Sequence, residues 1–453
     1  MTIFDAIRTK NNFLNLLIGL IPLSFIIGNS AINLNIFLII LFAFSFHRLE
    51  IFKIKYFYID KIIFLVFGYI FFNGVYVTAI NWGDMTRVEP FNLSTLEKTI
   101  LFERFLLLFL VIRFLIEKEY LNLKVLFISS TIFCSFVCLD IFYQFIFGKD
   151  IFGFPNYGRN FSGPFNDELI AGGYIQRFSI FSLFLLPIFF PKIKKNNSII
   201  FTLIFFLVAL FGITVAGNRM PFFLFFIMIF LIFLFEEKLR KYLIYFTLLF
   251  GVIFLLLYNF NSTIKNNFNN FYGKAKTLLI VTVDKEYREE LTILDSPKLD
   301  YYKEFDSFYE TWLINKYIGG GIKSFRYYCH KGFKNKIKKL GLDPILTKEK
   351  LPEFNCNTHP HNYYLEILTD LGAIGLVLIS IMFVGVIYVS LIKKYLMTSN
   401  LNQEKLITPF IFPLFIEIFP IKSSGSFFTT GNATFIFLIL AITVAISRKK
   451  SLN

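Results

Sequence analysis

The chain has 453 residues, of which 56% are hydrophobic, and its formal net charge is +15 at neutral pH. A soluble globular protein is about 45–50% apolar, so the excess excludes an ordinary water-soluble domain and indicates that lipid surrounds much of the chain. The lysines and arginines stand in short clusters between apolar runs. That distribution is typical of membrane topology signals and argues against nucleic acid as a partner.

Twelve apolar windows predict membrane-spanning helices, which need about 20 predominantly apolar residues each. In chain order they are 13–28, 31–46, 61–80, 99–116, 124–147, 169–190, 198–216, 220–235, 241–260, 363–392, 406–421 and 432–447. The first two windows form a tight hairpin, and so do the seventh and eighth. The predicted fold is therefore an all-α polytopic membrane protein with about 12 transmembrane helices.

The basic residues also predict the orientation, because lysine and arginine resist translocation. With both termini in the cytoplasm, most of them fall in cytoplasmic segments, and the short external loops carry only Arg87, Lys98, Lys149, Arg159, Arg219 and Lys422. Residues 149–168 and 217–219 then lie outside. The predicted division is helices 1–9 within 1–260, an extracytoplasmic loop domain at 261–361, and helices 10–12 within 362–453.

The segment 261–361 is too polar to cross a membrane. It contains a short β-like run from Leu278 to Val283, and an amphipathic helical pattern around Phe305, Phe308 and Trp312. A glycine turn follows at 319–321. These features predict a small folded domain, partly helical and partly irregular, that packs on the membrane.

The four cysteines form two pairs in the sequence. Cys134 and Cys138 lie one helical turn apart in an apolar span, where cysteine acts as a small hydrophobic side chain. Cys329 and Cys356 both belong to the extracytoplasmic segment. In an oxidising compartment a disulfide between them is favoured, and two free thiols are the alternative.

His361 stands just before the tenth predicted span, in the stretch Thr358-His359-Pro360-His361-Asn362. If the helix begins here, Leu365, Leu368, Gly372 and Gly375 fall on the same face as His361. The two glycines on that face allow a neighbouring helix to approach closely. His361 is then a candidate functional residue at the outer interface, and a histidine that merely caps the helix is the alternative.

Two arginines are further candidates. Arg177 lies inside the sixth predicted span, where an arginine normally faces a partner or a wet cavity. Arg219 lies between two apolar runs on the outer side, and its alternative role is to snorkel to the interface. In the fourth span, Arg104 lies near the outer end, whereas Arg113 lies near the inner end and is expected to snorkel.

The loop before Arg177 runs from Asn160 to Glu168 and ends with two acids, Asp167 and Glu168. Directly before a span, such acids are typical of a helix N-cap with an acidic first turn. A role for Glu168 in a site is the alternative.

Several chemical signatures are missing from the sequence. There is no Asp-x-Asp pair, no Cys/His cluster with zinc spacing and no GxxxxGK[ST] phosphate loop. The sequence therefore does not suggest a nucleotide-driven pump or a metal-dependent transferase, and no metal or cofactor is expected.

The His361 region resembles the O-antigen ligase/polymerase family of bacterial inner-membrane glycosyltransferases. The resemblance rests on several stretches over roughly residues 160–380: Ser162-Gly163-Pro164-Phe165 with Asp167-Glu168, Gly217-Asn218-Arg219, Trp312 followed by Gly319-Gly320-Gly321 and Phe325, and His361-Asn362 with Gly372-Ala373-Ile374-Gly375. Members often carry an arginine shortly before the tryptophan. Here Ser307-Phe308-Tyr309-Glu310-Thr311 precede Trp312, so a second diphosphate-binding arginine is unassigned, with Arg177 and Arg326 as substitutes.

The resemblance implies transfer of a glycan from a polyprenyl-diphosphate carrier at the periplasmic face of the inner membrane. Arginines suit the leaving diphosphate, because guanidinium bonds phosphate oxygens bidentately and stays charged. Arg219 is the first candidate for that task and Arg177 the second. His361 is the candidate catalytic residue, as a general base on the acceptor hydroxyl or as a hydrogen-bond donor to the diphosphate. Secondary candidates are Asn362, Glu168 and Arg326, and candidates for a structural role are Gly372, Gly375, Cys329 and Cys356.

The resemblance leaves the acceptor open. A ligase, the favoured hypothesis, moves the glycan onto lipid A–core, whereas a polymerase adds repeat units to a growing glycan, and a third relative glycosylates protein. From a different class, a polysaccharide transporter or flippase predicts inverted repeats and broken helices. The sequence shows no strong internal repeat.

Overall fold

The structure is a computed structural model that describes residues 3–81, 91–156, 160–283, 300–339, 341, 356–396, 406–422 and 425–448. Within these ranges the chain is helical, and its extended backbone amounts to an isolated bridge between Lys149 and Pro155. The helices are α1 (Ile3–Gly19), α2 (Ile21–Ile27), α3 (Asn29–His47), α4 (Tyr58–Ile80), α5 (Phe91–Phe102), α6 (Arg104–Glu117), α7 (Leu123–Phe147), α8 (Ala171–Phe189), α9 (Lys195–Ala216), α10 (Arg219–Phe235), α11 (Glu237–Phe260), α12 (Ser262–Val283), α13 (Asp300–Trp312), α14 (Phe325–Lys339), α15 (Tyr363–Ile387), α16 (Thr408–Glu417) and α17 (Thr430–Arg448).

Eight helices in the described part of the chain are long and apolar enough to cross a membrane, or nine if the bent pair α1–α2 counts as one span. The eight are α3, α4, α7, α8, α9, α11, α15 and α17. Each of the twelve predicted windows is helical, but α10 and α16 are short, and the window 99–116 is divided into α5 and α6. A polytopic helical membrane protein is thus supported, while the count of about twelve stays a prediction.

The helix α7 shows how local sequence sets the boundaries of a span. It begins after Asn122, whose side-chain oxygen accepts a hydrogen bond from the backbone N–H of Lys124 at 3.1 Å. It ends at Gly148, which takes the left-handed conformation (φ 76°) that suits glycine at a helix C-terminus. Between these ends lie apolar residues with Cys134 and Cys138, which are buried free cysteines.

The helix α17 lies at the centre of the bundle, with its side chains buried from Ala433 to Ser447. It packs against α6, where Phe105 stacks on Phe437 at a centroid distance of 5.9 Å. By contrast, α3 and α11 expose large apolar side chains such as Phe37 and Leu248. Apolar surface of this kind is expected to face lipid tails, because its exposure to water is unfavourable.

Two local predictions are wrong. The β-like run from Leu278 to Val283 forms the last turns of α12, because its apolar residues continue a helix already begun at Ser262. Arg113 does not snorkel. Its side chain is 1% exposed and contacts the Asp60 carboxylate through Nε and Nη2, both at 3.2 Å.

The polar segment is attached to α15 through a break in that helix at Gly372, which has a φ of 69°. The backbone around the glycine turn fills this break: Gly320 N–H donates to Thr369 O at 3.0 Å, and Ala373 N–H donates to Lys316 O at 2.9 Å. A Cβ on Gly372 would lie 2.1 Å from the carbonyl oxygen of Tyr317. Glycine is therefore required on steric grounds, and the neighbour it admits is a loop and not a second helix.

The helices α13 and α14 pack on each other and on the start of α15. The predicted amphipathic helix is confirmed as α13, in which Phe308 is buried against Phe325 of α14 and Phe305 is half exposed. A disulfide joins Cys329 of α14 to Cys356, with the two Cα atoms 5.6 Å apart. This bond fixes the segment that leads to His361.

Candidate functional site

A cavity of about 580 Å³ brings together three segments that the sequence analysis places outside the membrane. These are the loop before α8, the start of α10 and the stretch before α15. Their contributions include Glu168, Arg219 and His361, and Arg177 lines the same space from α8. Four predicted site residues, from three separate parts of the sequence, thus lie around one cavity.

Arg219 enters the cavity at the first residue of α10. The turn before it is held by Asn218, whose side-chain oxygen accepts from Gly172 N–H at 2.9 Å and whose amide donates to Leu169 O at 3.0 Å. Gly217 provides the left-handed residue that ends α9. This turn ties the beginning of α10 to the beginning of α8 and fixes where the arginine stands.

Arg177 is held by a carboxylate. Its Nη2 lies 2.6 Å from Oε1 of Glu417 and its Nε lies 3.0 Å from Oε2, and Nη2 also donates to the side chain of Asn432 at 2.5 Å. Glu417 is fully buried. The fork of the guanidinium is thus largely used within the protein, which agrees with the expectation that an intramembrane arginine has a partner.

Lys422 joins the same carboxylate from the connection between α16 and α17. Its Nζ lies 2.5 Å from Oε1 of Glu417 and 3.0 Å from the hydroxyl of Tyr363. The lysine is buried, with 5% of its surface exposed, yet it contributes to the cavity wall. The Glu417 carboxylate therefore contacts two cations, Arg177 of α8 and Lys422 of the connection between α16 and α17.

His361 lies before α15 and not on it, so the prediction that it shares a helical face with Leu365 is wrong. The N-cap is Asn362, whose side-chain oxygen accepts from the backbone N–H of Tyr364 at 2.9 Å and of Leu365 at 3.2 Å. Its amide donates to Pro420 O at 2.8 Å. His361 itself has a φ of 49°, an uncommon conformation for a side chain of this size.

Two histidines face the cavity together. The rings of His359 and His361 are 4.5 Å apart between centroids. Burial lowers the pKa of His361. Burial also lowers the pKa of His359, to about 4, with smaller contributions from the charges of His361, Arg326 and Lys323. Burial, joined at His359 by the neighbouring charges, thus favours neutral imidazoles at neutral pH.

Of the secondary candidates, Glu168 lines the cavity and Arg326 does not. Glu168 lies in a turn before α8 and is exposed, so the predicted acidic first turn is wrong: the helix begins at Ala171, and its N-cap residue is Ile170. Arg326 is exposed on α14, outside the cavity lining. Gly375 lies inside α15 against Leu371 and Tyr69.

The sequence model of the family described as O-antigen ligase matches residues 204–380. This stretch begins before Arg219 and extends beyond Gly375, so it contains Trp312, the glycine turn and His361. Residues 204–380 are thus similar to the O-antigen ligase family. The predicted relationship to the O-antigen ligase/polymerase family is thereby confirmed. A comparison with curated proteins found no match.

The match to the O-antigen ligase family implies glycosyltransferase-type activity on lipid-linked glycans. Two features of the cavity lie outside the matched region, namely Arg177 with its partner Glu417 and the loop that carries Lys422. The family region alone therefore supplies only part of the cavity wall.

Several residues that line the cavity were not predicted as site residues, among them Glu304, His359, Lys422 and Asn432. His359 had a signal, because it stands two residues before His361. Lys422 was counted only as a topology marker. Its pairing with Glu417 joins two residues near the end of the chain to Arg177 in its middle, and hydropathy does not reveal such pairings.

Proposed function

We propose that this protein is a glycosyltransferase that moves a glycan from a polyprenyl-diphosphate carrier to an acceptor hydroxyl at the outer face of the bacterial inner membrane. The observation that carries the proposal is one cavity that holds Arg219 and His361, which come from separate parts of the family region. A diphosphate headgroup needs fixed cations, and a sugar hydroxyl needs a nearby group that titrates close to neutrality.

In the proposed reaction, the acceptor oxygen forms a bond to the anomeric carbon and gives up its proton. The bond from that carbon to the diphosphate oxygen breaks, and the leaving diphosphate can take up the proton. Negative charge develops on the leaving polyprenyl diphosphate. Arg219 binds these phosphate oxygens through its planar fork. Arg177, which lines the same cavity and is paired with Glu417, contributes positive charge. Cations held in place before the reaction stabilise the leaving group without reorganisation.

His361 acts on the reacting oxygens. The side-chain amide nitrogen of Asn357, a donor, lies 3.2 Å from its Nε2. If Nε2 accepts this bond, the ring proton resides on Nδ1, and the histidine is ready to donate to a phosphate oxygen. This contact supports the donor role over the general-base role, which requires Nε2 to be released from Asn357.

The proposed topology follows the charge distribution: about twelve spans, both termini cytoplasmic and 261–361 as a periplasmic loop domain. It is supported by the meeting of three predicted outer segments in one cavity. Cysteine labelling with a membrane-impermeant reagent, at single cysteines introduced at Lys194 and Lys331 in a cysteine-free background, tests it. Only the second site should react in intact spheroplasts.

We favour lipid A–core as the acceptor, with repeat-unit polymerisation as the alternative within the family. A deletion strain separates the two. Long lipid-linked polymer together with bare lipid A–core indicates a ligase, whereas single repeats attached to the core indicate a polymerase.

The first experiment is transfer by the purified protein in detergent, with lipid-linked glycan as donor and lipid A–core as acceptor. Transfer without a second compartment supports a glycosyltransferase and argues against a transporter or flippase. Absence of transfer to either lipid A–core or a glycan acceptor, from a preparation that is folded and binds the donor, would contradict the proposal.

A further inference from the structure

Lys422 is a buried cation on the wall of the cavity that also holds Arg219 and His361. Its ammonium lies over the ring of Tyr363, 4.7 Å from the centroid, in addition to its contacts with the Tyr363 hydroxyl and Glu417. An ammonium has three donors. Two of them are used by these described residues, which leaves one for a group in the cavity.

The charges around Glu417 do not balance. Arg177 and Lys422 supply two positive charges, and Glu417 supplies one negative charge. A buried charge that lacks a counter-charge is costly unless an ion completes the arrangement. The excess positive charge stands at a cavity wall, where an anionic ligand can complete it.

Of the two cations, Lys422 has more capacity for a ligand. Arg177 uses Nε and Nη2 on Glu417 and Asn432. Its fork is aligned with the carboxylate, so it cannot present the same fork to a phosphate. Lys422 presents a point charge with a remaining donor, which is how lysine binds phosphate elsewhere.

We propose that Lys422 is the second cation of the diphosphate site, together with Arg219, and that Glu417, itself held by Arg177, is the positioning residue that holds its ammonium. This inference rests on the proposed function. It fills the place left by the absence of an arginine among residues 307–311 before Trp312. The ligand chemistry is a diphosphate ester, as carried by a polyprenyl-linked glycan.

A lysine in this role gives the site a pH dependence that an arginine would not. Burial lowers the pKa of Lys422 to about 8, although the Glu417 carboxylate opposes this effect; Arg177 lowers the pKa further. The cation is therefore present at pH 7 and is lost as the pH rises through about 8. The groups that face it are Glu417, Arg177 and Tyr363. The nearby histidines have lowered pKa values and are already neutral on this alkaline side.

The test measures binding of inorganic pyrophosphate and glycan transfer by the full-length protein in detergent, with Lys422→Met and Lys422→Arg. Lys422→Met should weaken pyrophosphate binding about 10- to 100-fold, the usual effect of losing one charged hydrogen bond. It should also raise KM for the lipid-linked donor. The matched control is Lys339→Met, which removes an exposed lysine that pairs with Glu310 at 3.2 Å, and it should bind like the wild type.

Lys422→Arg keeps the positive charge. It therefore provides a second variant in case Lys422→Met loses binding because it does not fold. The ratio of wild-type to Lys422→Arg binding, measured from pH 7 to 9.5, should fall about tenfold per pH unit above about 8, because the arginine stays protonated. The ratio cancels ionisation of the pyrophosphate itself. A constant ratio, or wild-type binding by Lys422→Met, would overturn the inference.

Failure of the inference differs from failure of the proposed function. If the wild type transfers glycan and Arg219→Ala does not, while both Lys422 variants behave as wild type, only the role of Lys422 is wrong. If the folded wild type neither transfers glycan nor binds pyrophosphate, the proposed function fails with it.

Discussion

Two buried arginines show how charge balance separates a structural ion pair from a candidate site. Arg113 of α6 meets Asp60 of α4, with side chains that are 1% and 0% exposed, so one cation faces one buried carboxylate. Arg177 of α8 shares Glu417 with a second cation, Lys422, at a cavity wall. The first arrangement is closed and joins two helices. The second retains a positive charge and a space in which an anion fits.

Sequence position alone does not distinguish these arginines, since both lie inside predicted spans. Buried pairs are weak evidence for stability, because desolvation offsets much of their attraction. What separates them is whether the positive and negative charges are equal in number and whether a cavity adjoins them. Variants at the Arg113–Asp60 pair and at the cavity test whether this difference predicts which residues act in function.

The largest effect is expected on the cavity side, at His361. Replacement with alanine removes the titratable group at the reacting oxygens and should lower glycan transfer about 10²- to 10⁴-fold, the usual contribution of such a group. The measurement is the initial rate of transfer by purified protein at saturating donor. His330→Ala, which changes an exposed histidine on α14, is the control and should keep the wild-type rate. Equal rates in the two variants would remove His361 from the mechanism.

The next effect is expected at the closed pair. Asp60→Ala leaves the Arg113 charge buried without its partner and should lower the free energy of unfolding by about 3–5 kcal/mol. Unfolding in detergent with increasing denaturant measures it. Glu310→Ala, at an exposed pair with Lys339, should cost less than about 1 kcal/mol. Folded Asp60→Ala protein should transfer glycan at the wild-type rate. A higher KM or a lower kcat in the folded variant would show that the Arg113–Asp60 pair is not purely structural.

A smaller effect is expected from Arg219→Lys, because lysine keeps the charge but lacks the bidentate fork. Loss of one charged hydrogen bond corresponds to a fall of about tenfold or more in kcat/KM. Arg240→Lys is the control. Arg240 is exposed and donates to the carbonyls of Phe233 and Leu234 on the preceding helix, away from the cavity. A fully active Arg219→Lys enzyme would indicate that Arg219 has a structural role.

The smallest effect is expected from acidification. Because burial lowers the pKa of His361 below 6.5, the imidazole stays neutral from pH 7 down to that value. Transfer should therefore change little from pH 7 to 6.5. It should decline only as the pH falls through the lowered pKa, because protonation of Nε2 breaks its hydrogen bond with Asn357. Rates for wild type and the His359→Gln variant, measured from pH 7.5 to 5, check this. A decline that begins above pH 6.5 would contradict it.

Hydropathy predicted the helices because each span must satisfy its backbone polar groups internally, which leaves a long apolar run in the sequence. The motifs predicted Arg219 and His361, and both line the cavity. Long-range polar contacts were not predictable in this way. Arg113 was expected to reach water because its partner Asp60 lies 53 residues away, and hydropathy does not encode that pairing.

Backbone conformation was a second source of error. The face containing Gly372 and Gly375 was predicted from an unbroken helix beginning at His361. In the structure His361 precedes the helix and Gly372 interrupts it. Both deviations are set by contacts with distant segments, the loop at Tyr317 and the carbonyl of Pro420, rather than by local helix propensity.

The break at Gly372 also determines how firmly α14 is attached to α15. Gly320 and Gly321 donate to the carbonyls of Thr369 and Asp370, and the Asp370 carboxylate accepts from the backbone N–H of Lys323 and Ser324 at 2.6 and 3.0 Å. Lifting α14 from α15 would break all of these bonds, each worth about 1 kcal/mol or more. The α14 segment is thus fixed to α15 by several bonds at once, which makes this junction a rigid attachment and not a hinge.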